Sequence, residues 1–392
     1  MNPEDRYDNQ WVGNDGQNGH ERQPERESYN NGRNRSRESR QMRERRRRAR
    51  RNRMILKCLL VAVLLVILIV LMTSLLLNKR GETSPAATGS SVSFENSSGE
   101  LQTDSSVPET TVTDTPTPTP SPTPQIISGD SLYSTNAVMV RRSDGAVLLD
   151  KGSRERIYPA SMTKIMTAIV AIENLPNLDE QITVTAEQIN PLYEEGASLA
   201  GFSAGETVTV RDLLYGVLLP SGAEACVAVA ERVAGSEAAF VDLMNQKVQE
   251  LSLTDTHFVT DSGLHDDNHY TTCADMAAIL EYALQNETFR TVFTAHDYTT
   301  APTEYHPEGL YMENTMFQNL ESDTLSNGGV IEGGKTGFTD EAQLCLASLA
   351  SVYDQEYILV TAHAEGNHYT EPYHVLDAVN AYSQIEDPNT LQ

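Results

Sequence analysis

Ser161 and Lys164 stand three residues apart in the stretch YPASMTKIMTAIVAIE, residues 158–173. On a helix that spacing puts the two side chains on one face, within reach of each other. A serine hydroxyl is a weak nucleophile until a base removes its proton. A lysine serves as that base when desolvation or a second nearby cation holds it neutral. The start of the helix also leaves backbone N–H groups unpaired, which suits a developing oxyanion. Ser-x-x-Lys alone is expected about once or twice by chance in a chain of this length, so the pair needs company.

Two further stretches supply it. Ser221 lies 60 residues after Ser161, between Pro220 and Gly222, and Lys335-Thr336-Gly337 begins 114 residues beyond it in GGVIEGGKTG. A lysine and a threonine on an edge strand can bind a carboxylate, and the glycines let a ligand's backbone come close. Lys-Thr-Gly is expected about 0.1 times per chain from composition. Locally, Ser221-Gly222-Ala223-Glu224 also fits a helix capping box. The ordered trio is far more specific than any part of it, and it is the set found in β-lactamases and penicillin-binding proteins.

Through PASMTKIMTAIVAIE, LLPSGAEACVAVAE, THFVTDSGLHDDNHYTTCADMA and GGKTGFT, the chain resembles the serine D-alanyl-D-alanine carboxypeptidases, which are low-molecular-mass penicillin-binding proteins. The resemblance runs from about Asn136 to Glu365. It implies a penicillin-recognising transpeptidase-type fold, removal of the terminal D-Ala from peptidoglycan stem peptides, acylation by β-lactam antibiotics, and no cofactor. It implies Ser161 as the acylated nucleophile, Lys164 as its base and Ser221 as a proton relay to the leaving D-Ala. Lys335 would polarise this network, and Thr336, beside Gly337, would hold the substrate carboxylate. The N–H groups of Ser161 and Phe338 would form the oxyanion hole. One position departs from the pattern. The second motif is usually Ser-x-Asn, and residue 223 is alanine. An asparagine amide there would bond to the lysine and to the substrate backbone, so Glu224 or a water is expected to replace part of it.

Other readings stay open. His265-x-x-x-His269, with Asp266 and Asp267 between, could ligate zinc, although SGLHDDNHY reads as a loop; His363 and His368 are expected at the surface. A class A β-lactamase uses an extra glutamate to activate the deacylating water, and no Glu-x-x-Leu-Asn segment occurs between Ser221 and Lys335. A non-catalytic penicillin or peptidoglycan sensor is compatible with Ala223.

The scaffold for these residues is expected over residues 126–392. NAVMVRRSDGAVLLDKG reads as a hairpin around Ser143-Asp144-Gly145. Helical patterns follow over Ser161–Asn174, Val210–Leu219, Ala223–Ala234 with Gly235 as its stop, Glu237–Leu251 and Asp275–Gln285. Met162, Ile165, Met166, Ile169 and Ile172 should face the core, while Thr209-x-x-Asp212 and Thr272-x-x-Asp275 read as capping boxes. GGVIEGGKTG, LCLASLASV and YILVTAHA read as strands joined by short antiparallel links, and PYHVLDAVNAYSQI as a closing helix. The fold class is therefore α+β: an antiparallel sheet formed from both ends of the domain, with a helical region inserted between them.

Upstream, the 20 residues Cys58–Leu77 contain no charge and no proline, enough helix to cross a hydrocarbon core. Nine arginines crowd residues 40–53 just before them. The positive-inside rule then puts a disordered basic tail, residues 1–57, in the cytoplasm and everything beyond Leu77 outside. The arginine run could instead serve as a nucleic-acid or nuclear-localisation patch, and the apolar run could be a cleaved signal peptide. A retained signal anchor fits its length better. Residues 78–125, ending in TPTPTPSPTP, read as a Ser/Thr/Pro-rich extended spacer. Many members of the resembled family carry a β-rich domain and an amphipathic anchoring helix after the catalytic domain. Here the N-terminal helix is expected to anchor instead, in a bacterial cell membrane and, given a stalk beyond a single membrane, a Gram-positive type of envelope.

Charge supports that division. Residues 1–80 hold 18 Lys+Arg against 9 Asp+Glu, whereas residues 81–392 hold 11 against 46. So acidic a globular part repels nucleic acid. Cys58 lies in the apolar run, and Cys226, Cys273 and Cys345 show no Cys-x-x-Cys spacing, which argues against a disulfide framework or zinc ribbon and leaves one pairing open.

Overall fold

Strands from the two ends of the domain meet in one sheet. The computed structural model describes residues 125–387. The expected cytoplasmic tail (1–57), membrane helix (58–77) and spacer as far as residue 124 lie outside the described residues. Among the described residues no helix is long and apolar enough to cross a membrane.

Strand β1 (Ser134–Arg141) turns at Asp144-Gly145 into β2 (Val147–Lys151), and the short β3 (Arg156–Ile157) leads to a 3₁₀ turn, Ala160–Thr163. Helix α1 (Lys164–Asn174) follows, then β4 (Gln181–Thr183), α2 (Ala186–Glu194) and β5 (Thr207–Thr209). Helices α3 (Val210–Leu218), α4 (Ala223–Ala234) and α5 (Glu237–Glu250) come next. After β6 (Thr271–Thr272) lie α6 (Cys273–Leu284) and α7 (Glu287–Phe293). The hairpin β7 (Asp297–Thr299) and β8 (Tyr311–Glu313) precedes the long strands β9 (Val330–Thr339), β10 (Gln343–Val352) and β11 (Gln355–Ala364), and α8 (Tyr373–Ser383) closes the domain.

The five-stranded sheet runs in the order β2-β1-β11-β10-β9, with every neighbouring pair antiparallel. In β1, β10 and β11 the alternation of side chains divides each strand between two cores. Val138, Ala347, Leu349, Ile358 and Val360 face the inserted helices. Met139, Leu346, Ala350 and Leu359 face α8 through Val375, Ala378 and Tyr382. The expected α+β arrangement is thus the observed one. It leaves β9, which carries Lys335 to Gly337, at an edge.

Helix α1 is buried from Lys164 through Ile172, including four of the five apolar positions expected to face the core, and the fifth, Met162, is buried on the 3₁₀ turn before it. A helix enclosed on all sides belongs at the centre of a core, and each large apolar side chain there contributes roughly 1.5–3 kcal/mol. Helix α4 matches its expected bounds and stops at Gly235, in the left-handed region at φ 80°. Thr209 and Asp212 form the full capping box of α3. Thr272 caps α6 through the Asp275 N–H, but Asp275 accepts from the Thr256 hydroxyl instead of returning to the cap. Cys226, Cys273 and Cys345 are buried and free.

Candidate active site

The serine expected on the first turn of an α-helix sits instead on the 3₁₀ turn that precedes it. Ala160, just ahead, has φ 45°, a left-handed conformation that costs a non-glycine residue energy. Packing imposes that geometry. Gly263 lies so close behind the turn that a Cβ there would be 1.9 Å from the Ala160 carbonyl oxygen. On the other side, a Cβ on Gly337 would be 2.9 Å from Pro159 O and 3.2 Å from Ser161 N. Glycine at both positions therefore lets two backbones close on Ser161, and β9 runs against the turn that presents the hydroxyl.

Lys164 Nζ donates to Ser161 Oγ at 3.1 Å and also to the carbonyl of Ser262. Lys335 Nζ donates to Ser221 Oγ at 3.0 Å and to Thr336 O at 2.8 Å. Ser161 is half-buried, whereas both lysines and Ser221 are buried. Burial holds the Lys164 pKa below its ordinary value, against the opposing pull of Cys226, Asp261 and Glu224. Burial and then the charge of Lys164 hold Lys335 well below its own. The two lysines thus feel each other, and each serine hydroxyl has beside it an amine disposed to accept a proton. Thr336 is half-buried at the outer part of the same strand, its hydroxyl 2.6 Å from that of Thr315.

Residues 123–366 match the D-alanyl-D-alanine carboxypeptidase family, peptidase family S11. The chain belongs to this family. It is 34% identical over 227 residues to D-alanyl-D-alanine carboxypeptidase DacF of Bacillus subtilis, a match covering 57% of this chain and 56% of DacF. It is 34% identical over 233 residues to the D-alanyl-D-alanine carboxypeptidase of Streptomyces sp. strain K15, covering 57% of this chain and 79% of that one. The structure of the Streptomyces K15 DD-transpeptidase superposes with a TM-score of 0.58 at 27% identity, covering 65% of this chain and 98% of that one. The match therefore spans little more than half of DacF but nearly all of the K15 fold.

The second motif, where an asparagine is expected at residue 223, does not follow its local reading. Ser221 does not cap α4. Gly222 is the N-cap and provides no side chain, while Ser221 takes φ 70°, in the left-handed region. Its hydroxyl is turned to Lys335 rather than to a helix N–H. Glu224 does not reach back to the cap either. Its Oε1 accepts from the N–H groups of Gly201 (2.8 Å) and Phe202 (3.3 Å), pinning the loop before β5. Its Oε2 is buried without a hydrogen-bond partner among the described residues, and burial raises the Glu224 pKa. The place of an asparagine amide is not taken over by a Glu224 bond to Lys164. Lys164 draws its second acceptor from the Ser262 carbonyl instead, a contact that no side-chain motif announces.

The histidine pair read as a possible zinc site is divided between two environments. His269 is buried, and its Nδ1 accepts from the N–H groups of Val259 (3.0 Å) and Thr260 (3.3 Å). That leaves the proton on Nε2, which donates to Thr163 Oγ1 at 2.8 Å. Burial, assisted by His257, lowers its pKa to about 4. His265 packs instead on Tyr158, with ring centroids 4.7 Å apart, and lies near Asp267 and Glu341. Among the described residues no group of three or more His, Cys, Asp or Glu is placed to hold a metal ion. His269 thus ties the GLH…HYTT stretch to the turn beneath Ser161.

Proposed function

We propose that this chain is a serine D,D-carboxypeptidase that removes the terminal D-Ala from peptidoglycan stem peptides through an acyl-enzyme on Ser161. One observation carries the reading: two lysine–serine pairs, Lys164 with Ser161 and Lys335 with Ser221, stand together, each lysine buried and held below its ordinary pKa. In the first step Ser161 Oγ bonds to the carbonyl carbon of the penultimate D-Ala while Lys164 takes the hydroxyl proton. The N–H groups of Ser161 and Phe338 donate to the developing oxyanion. The C–N bond then breaks, and the proton on Lys164 reaches the leaving amine through Ser221. Water next attacks the ester, Lys164 taking one of its protons, and Ser161 leaves with a proton restored. Thr336 holds the substrate carboxylate. An amine in place of water would complete a transpeptidation, the reaction for which the Streptomyces K15 DD-transpeptidase is named.

In the same reading Cys58–Leu77 is a single-pass anchor in a bacterial cell membrane, with residues 1–57 cytoplasmic. The stretch to Gln125 then holds the catalytic domain outside, within reach of peptidoglycan. The uncharged run and the nine arginines ahead of it support this.

A second reading, a penicillin-binding sensor without turnover, is favoured by Ala223. Incubation with labelled penicillin and then with a peptide ending in D-Ala-D-Ala separates the two. A carboxypeptidase is labelled at Ser161 and releases D-Ala, and a Ser161→Ala chain does neither. Labelling without release supports the sensor, rapid destruction of the penicillin points to a β-lactamase, and absence of label defeats all three.

A further inference from the structure

Thr315 belongs to none of the three motifs, yet the fold fixes it between two of them. Its N–H donates to Leu219 O at 3.1 Å, two residues before Ser221. Its neighbour Asn314 donates through Nδ2 to Gly334 O at 3.2 Å, just before Lys335, and accepts from the Met316 N–H at 2.8 Å. The backbone at Thr315 is therefore clamped to the approach to Ser221 on one side and to β9 on the other. From there its hydroxyl stands 2.6 Å from that of Thr336.

The surrounding charges give that contact its meaning. A C-terminal carboxylate would normally be met by a guanidinium in a two-pronged bond. Six of the seven arginines among the described residues already hold carboxylates, and the seventh, Arg154, is exposed in the turn before β3. Lys335, the basic side chain of this strand, is already engaged, donating to Ser221 Oγ and to Thr336 O. Recognition of an anion at Thr336 then falls to hydroxyl groups. A hydroxyl carries one proton and two lone pairs. When an anion accepts from Thr336, Thr315 must be the donor within the pair. It occupies a Thr336 lone pair, leaves the Thr336 proton for the ligand, and polarises that O–H bond.

We propose that Thr315 is a specificity-determining residue of this site, whose hydroxyl aims the Thr336 hydroxyl at the free C-terminal carboxylate of the peptide and so selects acids over amides. This rests on the carboxypeptidase reading above. It acts through Thr336 and is a positioning residue.

The test compares the wild-type chain, Thr315→Val and Thr315→Ser on a peptide ending in D-Ala-D-Ala and on the same peptide as its C-terminal amide. The expected result is a rise in KM for the acid of about tenfold in Thr315→Val, the scale of one hydrogen bond to a charged group. The expected kcat stays within about threefold, the amide kinetics are unchanged, and Thr315→Ser behaves as wild type. An equal loss on acid and amide, or no loss in Thr315→Val, overturns the proposal. Thermal unfolding midpoints confirm that the variants are folded. If the wild type is labelled by penicillin but releases no D-Ala, the carboxypeptidase reading fails by itself. The same comparison then passes to acylation rates with penicillin and its carboxyl ester, where a selective loss on the acid supports Thr315 and an equal loss overturns it. A chain that is neither labelled nor active overturns both.

Discussion

Asp261 offers the sharpest physical test of the interior behind Ser161. Its carboxyl group is buried, and neither oxygen has a hydrogen-bond partner among the described residues. Burial, with Glu237 nearby, pushes its pKa well above the ordinary carboxylate value, while Lys164 pulls the other way. A raised folded-state value means that the native protein binds more protons than the unfolded chain between pH about 3.9 and the folded pKa. Below the unfolded value the carboxyl is neutral in both states and costs nothing extra. As pH rises through the window, stability falls by up to about 1.4 kcal/mol per pH unit. Asp261→Asn keeps the shape and removes the titration. The variant and wild type should therefore agree within about 1 kcal/mol at pH 4, where both carry an unpaired neutral polar group. By pH 7 the variant should be more stable by more than about 1 kcal/mol, or a few degrees in Tm for a domain of this size. Urea unfolding at half-unit steps from pH 4 to 7.5 measures the difference directly. A flat difference, or one in which Asp261→Asn loses ground as pH rises, refutes the reasoning, because the latter is the signature of a carboxylate held as an anion by Lys164.

Gly337→Ala should force β9 away from the Ser161 turn, costing about 1–3 kcal/mol of stability and slowing penicillin acylation by on the order of 100-fold. Wild-type acylation with an unchanged Tm would show that the strand does not press on the turn. Ser221→Ala leaves Lys335 its bond to Thr336 O, so the fold should survive while D-Ala release falls by about 10²–10⁴-fold, read in steady-state kinetics. His269→Phe strands the Val259 and Thr260 N–H groups and the Thr163 hydroxyl, and should cost at least about 1–3 kcal/mol in chemical denaturation. His257→Ala, at an exposed ring, should stay within about 0.5 kcal/mol.

What the sequence made legible and what it hid follow from where the information lies. The strands β10 and β11 were legible because both of their faces are largely apolar, and α4 because a glycine ends it. The Ser161–Lys164 spacing pointed to a pair that does hydrogen-bond, even though the local helix was misjudged, since a 3₁₀ turn also brings residues three apart together. Helix α2 was missed: Pro191 sits inside it and broke the pattern. The Ser221 cap was a sound local inference that tertiary structure overrode, because the hydroxyl found a lysine 114 residues away. Contacts through main-chain atoms, such as Ser262 O on Lys164, leave no mark on residue type. Thr315 is an ordinary threonine in a loop, and nothing short of the packed β9 reveals its partner.

The order of strands in the sheet bears on when this protein becomes competent. β1 pairs with β11 in a register that joins Ser134 to Ala364, and β9 reaches that pair only through β10. Pairings between such distant segments close late, because the loop entropy must be met before any contact repays it. The helices that carry Lys164 and follow Ser221 can assemble from nearer contacts. Lys335, and the strand that presses on the serine, are tied to β1 only through β10 and β11, so their final placing awaits that closure. While β11 has yet to join β1, Ser161 and Lys164 would stand together before β9 is fixed against them, so acylation by penicillin during refolding should lag behind the recovery of helix and report the closing of the sheet.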